Sequence, residues 1–371
     1  MRTPIYSVFS IVILSGCGGG GSGSVSYDYA DSYDYAEGPP SSVGNATTSL
    51  AGPSSNMSLP FTAPNGTTYS SLAAAHLVLN GVGSDFVATI DTGARTAWQQ
   101  GWTGKNIKLG IADSFNSNGQ IDVHGDWVAL VASTVAPETK MAFRNVLSSS
   151  TLFGLIGDVN AAYDYFESNG YHIINNSWGI ERPKRASDGS YNGQLHADFD
   201  ALVQSTSEAF DPGSPSSAVG LYIVAGGNGG QHCPTRRIEN CNWIAASAKK
   251  IRDNGYAAGS RLVFVGSLDD STNDLAAYSY TAGALKNDFI VAHDDVLSPA
   301  DAAGTSFSSP RVAGAAALVK HKFPNLSSAQ IKQVLLQTAE DLGITGVDET
   351  FGHGKLSILN ALSPQGTVVP R

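Results

Sequence analysis

From about residue 80 the chain alternates two kinds of apolar pattern, and this alternation restricts its fold more than any other feature. Ile107, Leu109 and Ile111, then His172-Ile173-Ile174, then Leu221-Tyr222-Ile223-Val224-Ala225 have the length and residue types of buried strands. Helical stripes fall among them: Val159, Ala162, Tyr163 and Phe166, closed by Asn169-Gly170, and Leu195, Phe199, Leu202 and Val203. Ser327-Ser328-Ala329-Gln330 has the form of a capping box, opening a helix through Ile331, Val334, Leu335 and Thr338. Successive strands joined by helices run parallel, and the crossovers cover both faces of the sheet. The pattern therefore predicts an α/β domain with its site at the strand ends. An apolar content of 42% against 15% charged residues suits such a core, and 371 residues allow one large domain with a tail.

The beginning of the chain is a different material. Met1-Arg2 opens a short basic head, Ile5 to Leu14 is mostly apolar, and Leu14-Ser15-Gly16-Cys17 follows. The apolar stretch is too short to span a bilayer and reads as a signal peptide, residues 1–16. Its last four residues resemble the lipobox of bacterial lipoproteins, in which the cysteine is lipidated; a secretory signal with a chance cysteine is the alternative. Gly18 carries no acidic retention signal, which points to an outer membrane if the cell has one. Residues 17–75 are rich in Gly, Ser, Thr, Pro and Asn, with Tyr27-Asp28-Tyr29 and Tyr33-Asp34-Tyr35 as a small acidic repeat. They hold too little apolar surface to offset ordering entropy, so they are expected to act as a tether and not as a folded inhibitory propeptide. The domain proper is 76–371.

Near the end, Gly304-Thr305-Ser306-Phe307-Ser308-Ser309-Pro310 runs straight into the apolar helix Arg311 to Val319. The first N–H groups of a helix lack internal partners and the dipole is positive there, so a serine at that point sits where an oxyanion would be stabilised. Pro310 suits an early turn, where a missing N–H costs least. An ordinary serine cap before a buried helix is the bland alternative.

The string resembles the nucleophile motif of the subtilisin-like serine proteases, and further motifs of that family stand upstream in the family's order. Residues 98–113 are similar to its lead-in helix, turn and first catalytic strand, with Asp113 at the triad aspartate. Val123-His124-Gly125-Asp126-Trp127-Val128-Ala129 resembles the histidine motif, and Val135-Ala136-Pro137 the segment after it. Residues 174–179 resemble the strand that walls the substrate cleft, and 223–228 the strand that ends in the oxyanion-hole asparagine. The order Asp, His, Ser is the subtilisin order. The resemblance spans about residues 95–362 and implies a three-layer subtilisin-like fold with a mostly parallel central sheet. It implies a serine endopeptidase in which Asp113, His124 and Ser306 form the triad. Asn228 and the Ser306 backbone N–H would form the oxyanion hole. Substrate would lie against Ser177, Trp178 and Gly179 on one side and Ala225, Gly226 and Gly227 on the other, although an aromatic beside a strand is as often core.

The chain departs from the family in three places. Asp126-Trp127 replaces the usual Thr-His and puts a charge near the base, Arg311 stands where the family usually has histidine, and only ten residues separate Asp113 from His124. The shortened loop removes a segment that helps bind calcium in some relatives, so neither metal nor cofactor is expected. Ile90-Asp91-Thr92-Gly93 matches the aspartic-protease signature as well as the surroundings of many subtilase aspartates. No second copy supplies the other carboxylate an aspartic protease needs. As the triad residue, Asp91 would also leave the lead-in after the strand, so it reads as a turn or helix cap. The other histidines, His76, His172, His196, His232, His293, His321 and His353, show no zinc-ligand spacing, and Asp294-Asp295 reads as a solvated turn. With Cys17 taken by the anchor, Cys233 and Cys241 are expected to pair on an exported domain. A net charge of −10 argues against nucleic acid as a partner. The expected partners are protein or peptide substrates, with the membrane engaged through lipid. The competing class is an inactive peptide-binding module on the same fold.

Overall fold

The computed structural model describes residues 61–62, 68–69, 92–115, 124–146, 152–180, 200 and 203. It also describes 220–366 apart from gaps at 232, 234, 254–260, 270 and 295–302. Two short strands, β1 (Phe61–Thr62) and β2 (Thr68–Tyr69), pair antiparallel. The body of the domain follows with α1 (Thr92–Gln99), β3 (Lys108–Asp113), α2 (His124–Val135), β4 (Lys140–Asn145) and α3 (Leu152–Ser168). Next come β5 (Ile173–Asn176), β6 (Leu221–Ala225), α4 (Ile238–Cys241), α5 (Trp243–Asp253), β7 (Leu262–Leu268) and β8 (Phe289–His293). The helices α6 (Thr305–Lys322), α7 (Ser328–Gln337) and α8 (Ile358–Ala361) close the chain.

The six strands β3 to β8 form one sheet in the order β4-β3-β5-β6-β7-β8, and every pairing is parallel. Alternate residues feed opposite layers, as the period of a strand requires. Leu109, Ile111, Ile173, Ile223, Val263 and Val265 pack with α2, α6 and α7 on one face. Ala112, Ile174 and Phe166 lie on the other with α3, and Val224, Phe264 and Phe289 with α5. Both faces are therefore covered, and the domain has three layers. At Gly110 a Cβ would come 2.7 Å from the Phe166 ring, so the strand can receive α3 this closely only with glycine there.

The strand order reverses at β3, which has β4 on one side and β5 on the other. Sites in such sheets gather beyond the carboxyl ends of the strands flanking a reversal. Asp113 ends β3 and Ser177 follows β5, so both stand at that crevice. Helix α6 is buried from Thr305 to Val319 and packs against α2 and strands β5 to β8. Its Gly314 faces Val135 of α2, whose Cβ would be 2.6 Å from an added methyl. The capping box at Ser327 and Gln330 is formed in both directions. Gly170 turns the chain out of α3 at φ 66°. The stripe at Leu195, Phe199 and Leu202 lies outside the described residues, as do the signal, Cys17, almost all of the tether, and Asp91.

Candidate active site

The site is built from two helix beginnings set against two strand ends. His124 is the first residue of α2, and Gly125 N–H donates 3.1 Å to the carbonyl of Ser114, just beyond β3. A Cβ on residue 125 would lie 2.3 Å from that same oxygen. Glycine after the histidine is thus what allows α2 to start against the end of β3. Asp113, fully buried, accepts from Ser114 N–H at 2.7 Å, and its Oδ1 stands 2.8 Å from His124 Nδ1. This fixes the imidazole tautomer with Nδ1 protonated and the lone pair on Nε2. His124 Nε2 is buried and, among the described residues, without a hydrogen-bond partner. Burial depresses the His124 pKa, but the charge and hydrogen bond of Asp113 outweigh that effect and carry it above the ordinary 6.5. The side chains of Asp126 and Trp127 lie outside what the structure describes.

Ser306 is the second residue of α6, and the imidazole of His124 lies 5.8 Å, centroid to centroid, from the ring of the adjacent Phe307. The Ser306 hydroxyl donates 3.0 Å to the carbonyl of Ser177, and the Ser177 hydroxyl donates 2.8 Å to the carbonyl of Ser306. The second bond explains Pro310. That proline sits inside α6, a turn deeper than expected, and lacks the N–H that would have bonded the Ser306 carbonyl four residues back. The Ser177 hydroxyl takes its place. Ser177 is itself held by Asn175 Nδ2 at 2.9 Å, and Asn175 Oδ1 accepts from Ser309 Oγ at 2.8 Å. Asn175 and Ser309 lie inside recognised motifs, but pairing one with the other needs the fold.

Asn228 follows β6. Its Oδ1 accepts from Thr305 N–H at 2.9 Å and from Thr305 Oγ1 at 3.0 Å, which turns the amide nitrogen end of the side chain away from Thr305. Gly227, at φ 107°, donates 2.9 Å to Thr305 Oγ1, so the turn into Asn228 requires a residue tolerant of the left-handed region. The Ser306 N–H is second in the helix, among the first N–H groups, which lack an intrahelical acceptor.

Several expectations need correction. Trp178 is 2% exposed and packs 6.0 Å from the Trp243 ring in the core cluster behind the sheet, so its side chain does not face the cleft. Gly226 gives its N–H to Val265 O at 2.8 Å and receives Asn242 Nδ2 on its carbonyl at 3.0 Å. Asp294 is buried and bonded, not a solvated turn: it accepts from the Gly304 N–H and the Tyr278 hydroxyl. A lone acidic pair in the sequence carried no signal of that burial. His321 and His172 accept backbone N–H bonds from Thr103 and Lys108, as structural histidines do. Cys233 and Cys241 are joined by a disulfide, with Cα atoms 6.1 Å apart. Among the described residues no group of three or more His, Cys, Asp or Glu side chains is arranged to hold a metal ion, and no helix is long and apolar enough to cross a membrane.

A buried Asp–His pair and a helix-borne serine stand near the carboxyl edge of a parallel sheet. Residues 109–354 match the Subtilase family, and the chain belongs to it. It is 24% identical over 347 residues to an extracellular serine protease of Serratia marcescens, covering 73% of this chain and 33% of that protein. A 65-residue stretch is 46% identical to the autotransporter lipoprotein NalP of Neisseria meningitidis serogroup B, covering 18% of this chain and 6% of that one. The chain thus spans a third or less of the length of these two relatives. MycP1 from Mycobacterium smegmatis shares the fold, with a TM-score of 0.51 at 18% identity, over 91% of this chain and 95% of that one.

Proposed function

We propose that this chain is an exported serine endopeptidase that cleaves peptide bonds through Asp113, His124 and Ser306. The observation that carries the reading is the 2.8 Å Asp113–His124 bond, which leaves a buried Nε2, unpartnered among the described residues, on an imidazole beside Phe307 of the nucleophile helix. His124 Nε2 takes the proton as Ser306 Oγ attacks the substrate carbonyl. The same proton then passes to the leaving amine, and water repeats the sequence on the acyl-enzyme. Asp113 holds the tautomer and stabilises the imidazolium. The Asn228 amide nitrogen and the Ser306 N–H receive the oxyanion; removing one such donor costs about 2.7–4 kcal/mol, a magnitude taken from subtilisin itself. Backbone groups of Ser177, Gly179 and Ala225 wall the bound peptide.

One observation favours the second reading, an inactive peptide-binding module: the Ser306 hydroxyl bonds the Ser177 carbonyl and not the base. Under the enzymatic reading, substrate binding redirects that hydroxyl to Nε2. Hydrolysis of an unfolded protein by the purified domain, abolished in Ser306→Ala and lowered by about four decades in Asp113→Asn, supports the enzyme. A folded wild-type domain that binds peptides but never cleaves them supports the module. Export rests on the N-terminal signal, and lipid anchoring on Leu14-Ser15-Gly16-Cys17. The relatives described as an extracellular protease and as a lipoprotein add support to both.

A further inference from the structure

Tyr278 links the segment after Asn228 to the segment before Ser306 through different atoms. Its backbone carbonyl accepts the N–H of Gly230 at 2.7 Å, two residues after Asn228. Its hydroxyl donates to Asp294 Oδ2, the same oxygen that accepts the N–H of Gly304, two residues before Ser306. The contact at Gly230 is close enough that a Cβ there would lie 2.4 Å from the carbonyl of Ser279 and 2.8 Å from that of Tyr278. The network also reaches the nucleophile helix. Ser267 Oγ stands 3.0 Å from the Tyr278 hydroxyl and accepts from Ser308 Oγ at 3.1 Å. Asp294 and Ser308 are buried, so these bonds have little competition from water.

Along the elbow the N–H groups of Gly304, Thr305 and Phe307 each have a separate acceptor. Gly304 N–H goes to Asp294, Thr305 N–H to Asn228, and Phe307 N–H back to the Gly304 carbonyl. Among the described residues the Ser306 N–H alone in this run is left for an incoming oxyanion, the other three N–H groups being committed. We propose that Tyr278 and Asp294 form a brace that sets the spacing between the Asn228 amide and the Ser306 N–H. Both are positioning residues for the reaction above, and the inference rests on that reading. The carboxylate also lies at the positive end of the α6 dipole, which favours it there. Burial pushes the Asp294 carboxyl above the usual range, and the Tyr278 and Gly304 bonds oppose that rise.

The test compares Tyr278→Phe, Asp294→Asn and Asp294→Ala with wild type. It measures kcat and KM on a chromogenic peptide, the fraction of sites titrated by a fluorophosphonate, and the affinity for a peptide boronate. A displaced oxyanion donor predicts kcat lower by about ten- to a hundredfold in Tyr278→Phe, with KM changed less than about threefold. Boronate affinity falls in step with kcat while all sites still titrate. Asp294→Asn keeps an acceptor and retains more activity than Asp294→Ala. A kcat loss matched by an equal loss of titratable sites, survivors being normal, shows support of folding only and overturns the brace. Unchanged kcat in Tyr278→Phe and Asp294→Ala overturns it as well, while leaving the protease reading intact. A wild type that neither cleaves nor titrates removes both.

Discussion

Replacing Gly125 by alanine should separate the base from its aspartate. The new Cβ would sit 2.3 Å from the Ser114 carbonyl oxygen and 2.7 Å from the Phe115 ring, whereas ordinary contact begins at 3.4 Å. The ring can rotate, but the carbonyl is backbone at the end of β3 and cannot. The start of α2 must therefore withdraw by about 1 Å, enough to stretch the 2.8 Å Asp113–His124 bond past hydrogen-bonding range. Overpacking costs about 1–3 kcal/mol, and loss of a charge-assisted hydrogen bond about 1.5–3 kcal/mol. The gain in helix propensity returns about 1 kcal/mol, leaving a net loss of about 1.5–5 kcal/mol. A misplacement of this size lowers kcat/KM by about a hundredfold. Urea denaturation and peptide hydrolysis measure the two effects. Gly157→Ala serves as the control, because a Cβ there meets nothing within 4 Å on an exposed face of α3. Gly125→Ala with wild-type stability and kcat/KM within threefold of wild type would show that the close approach of Gly125 to Ser114 does not hold the base in place.

The acid limb of kcat/KM should report His124. The base must be neutral and its pKa lies above 6.5, so activity rises with pH through an inflection above that value; an inflection below 6.5 contradicts this assignment. By the same raised pKa, the charged Asp113–His124 pair adds stability that is complete below about pH 6.5 and is lost as pH rises through the folded-state value. Cys233→Ser should lower stability by about 2 kcal/mol, since the bridge closes a short loop; two free thiols by mass spectrometry in the exported wild type would contradict it. Cys17→Ser should move the protein from the membrane fraction to soluble fractions without altering its rate on a small peptide. Continued membrane association would place the anchor elsewhere.

The parts of this site that could be read in the sequence are those where backbone geometry restricts the residue type. Gly125, Gly227 and Pro310 each answer to one close contact or one missing donor, so they recur as motif letters beside His124, Asn228 and Ser306. The sheet was legible for a similar reason, because buried parallel strands such as Leu221–Ala225 have to be apolar on both faces. Long-range polar pairing was not legible. Nothing local marks Asp294 as the acceptor for Gly304, or Tyr278 as its donor, because those partners meet only after β7, β8 and α6 have packed. Trp178 shows the opposite limit: its backbone follows the motif while its side chain belongs to the core behind the sheet.

An active enzyme requires Ser306 to be an activated nucleophile. Incubating the purified domain with a fluorophosphonate and mapping the adduct by peptide mass spectrometry tests this directly. The prediction is one adduct per folded molecule, located on Ser306, absent in Ser306→Ala and formed far more slowly in His124→Ala. A folded wild-type domain that takes up no label, or carries it on another residue, would contradict the assignment.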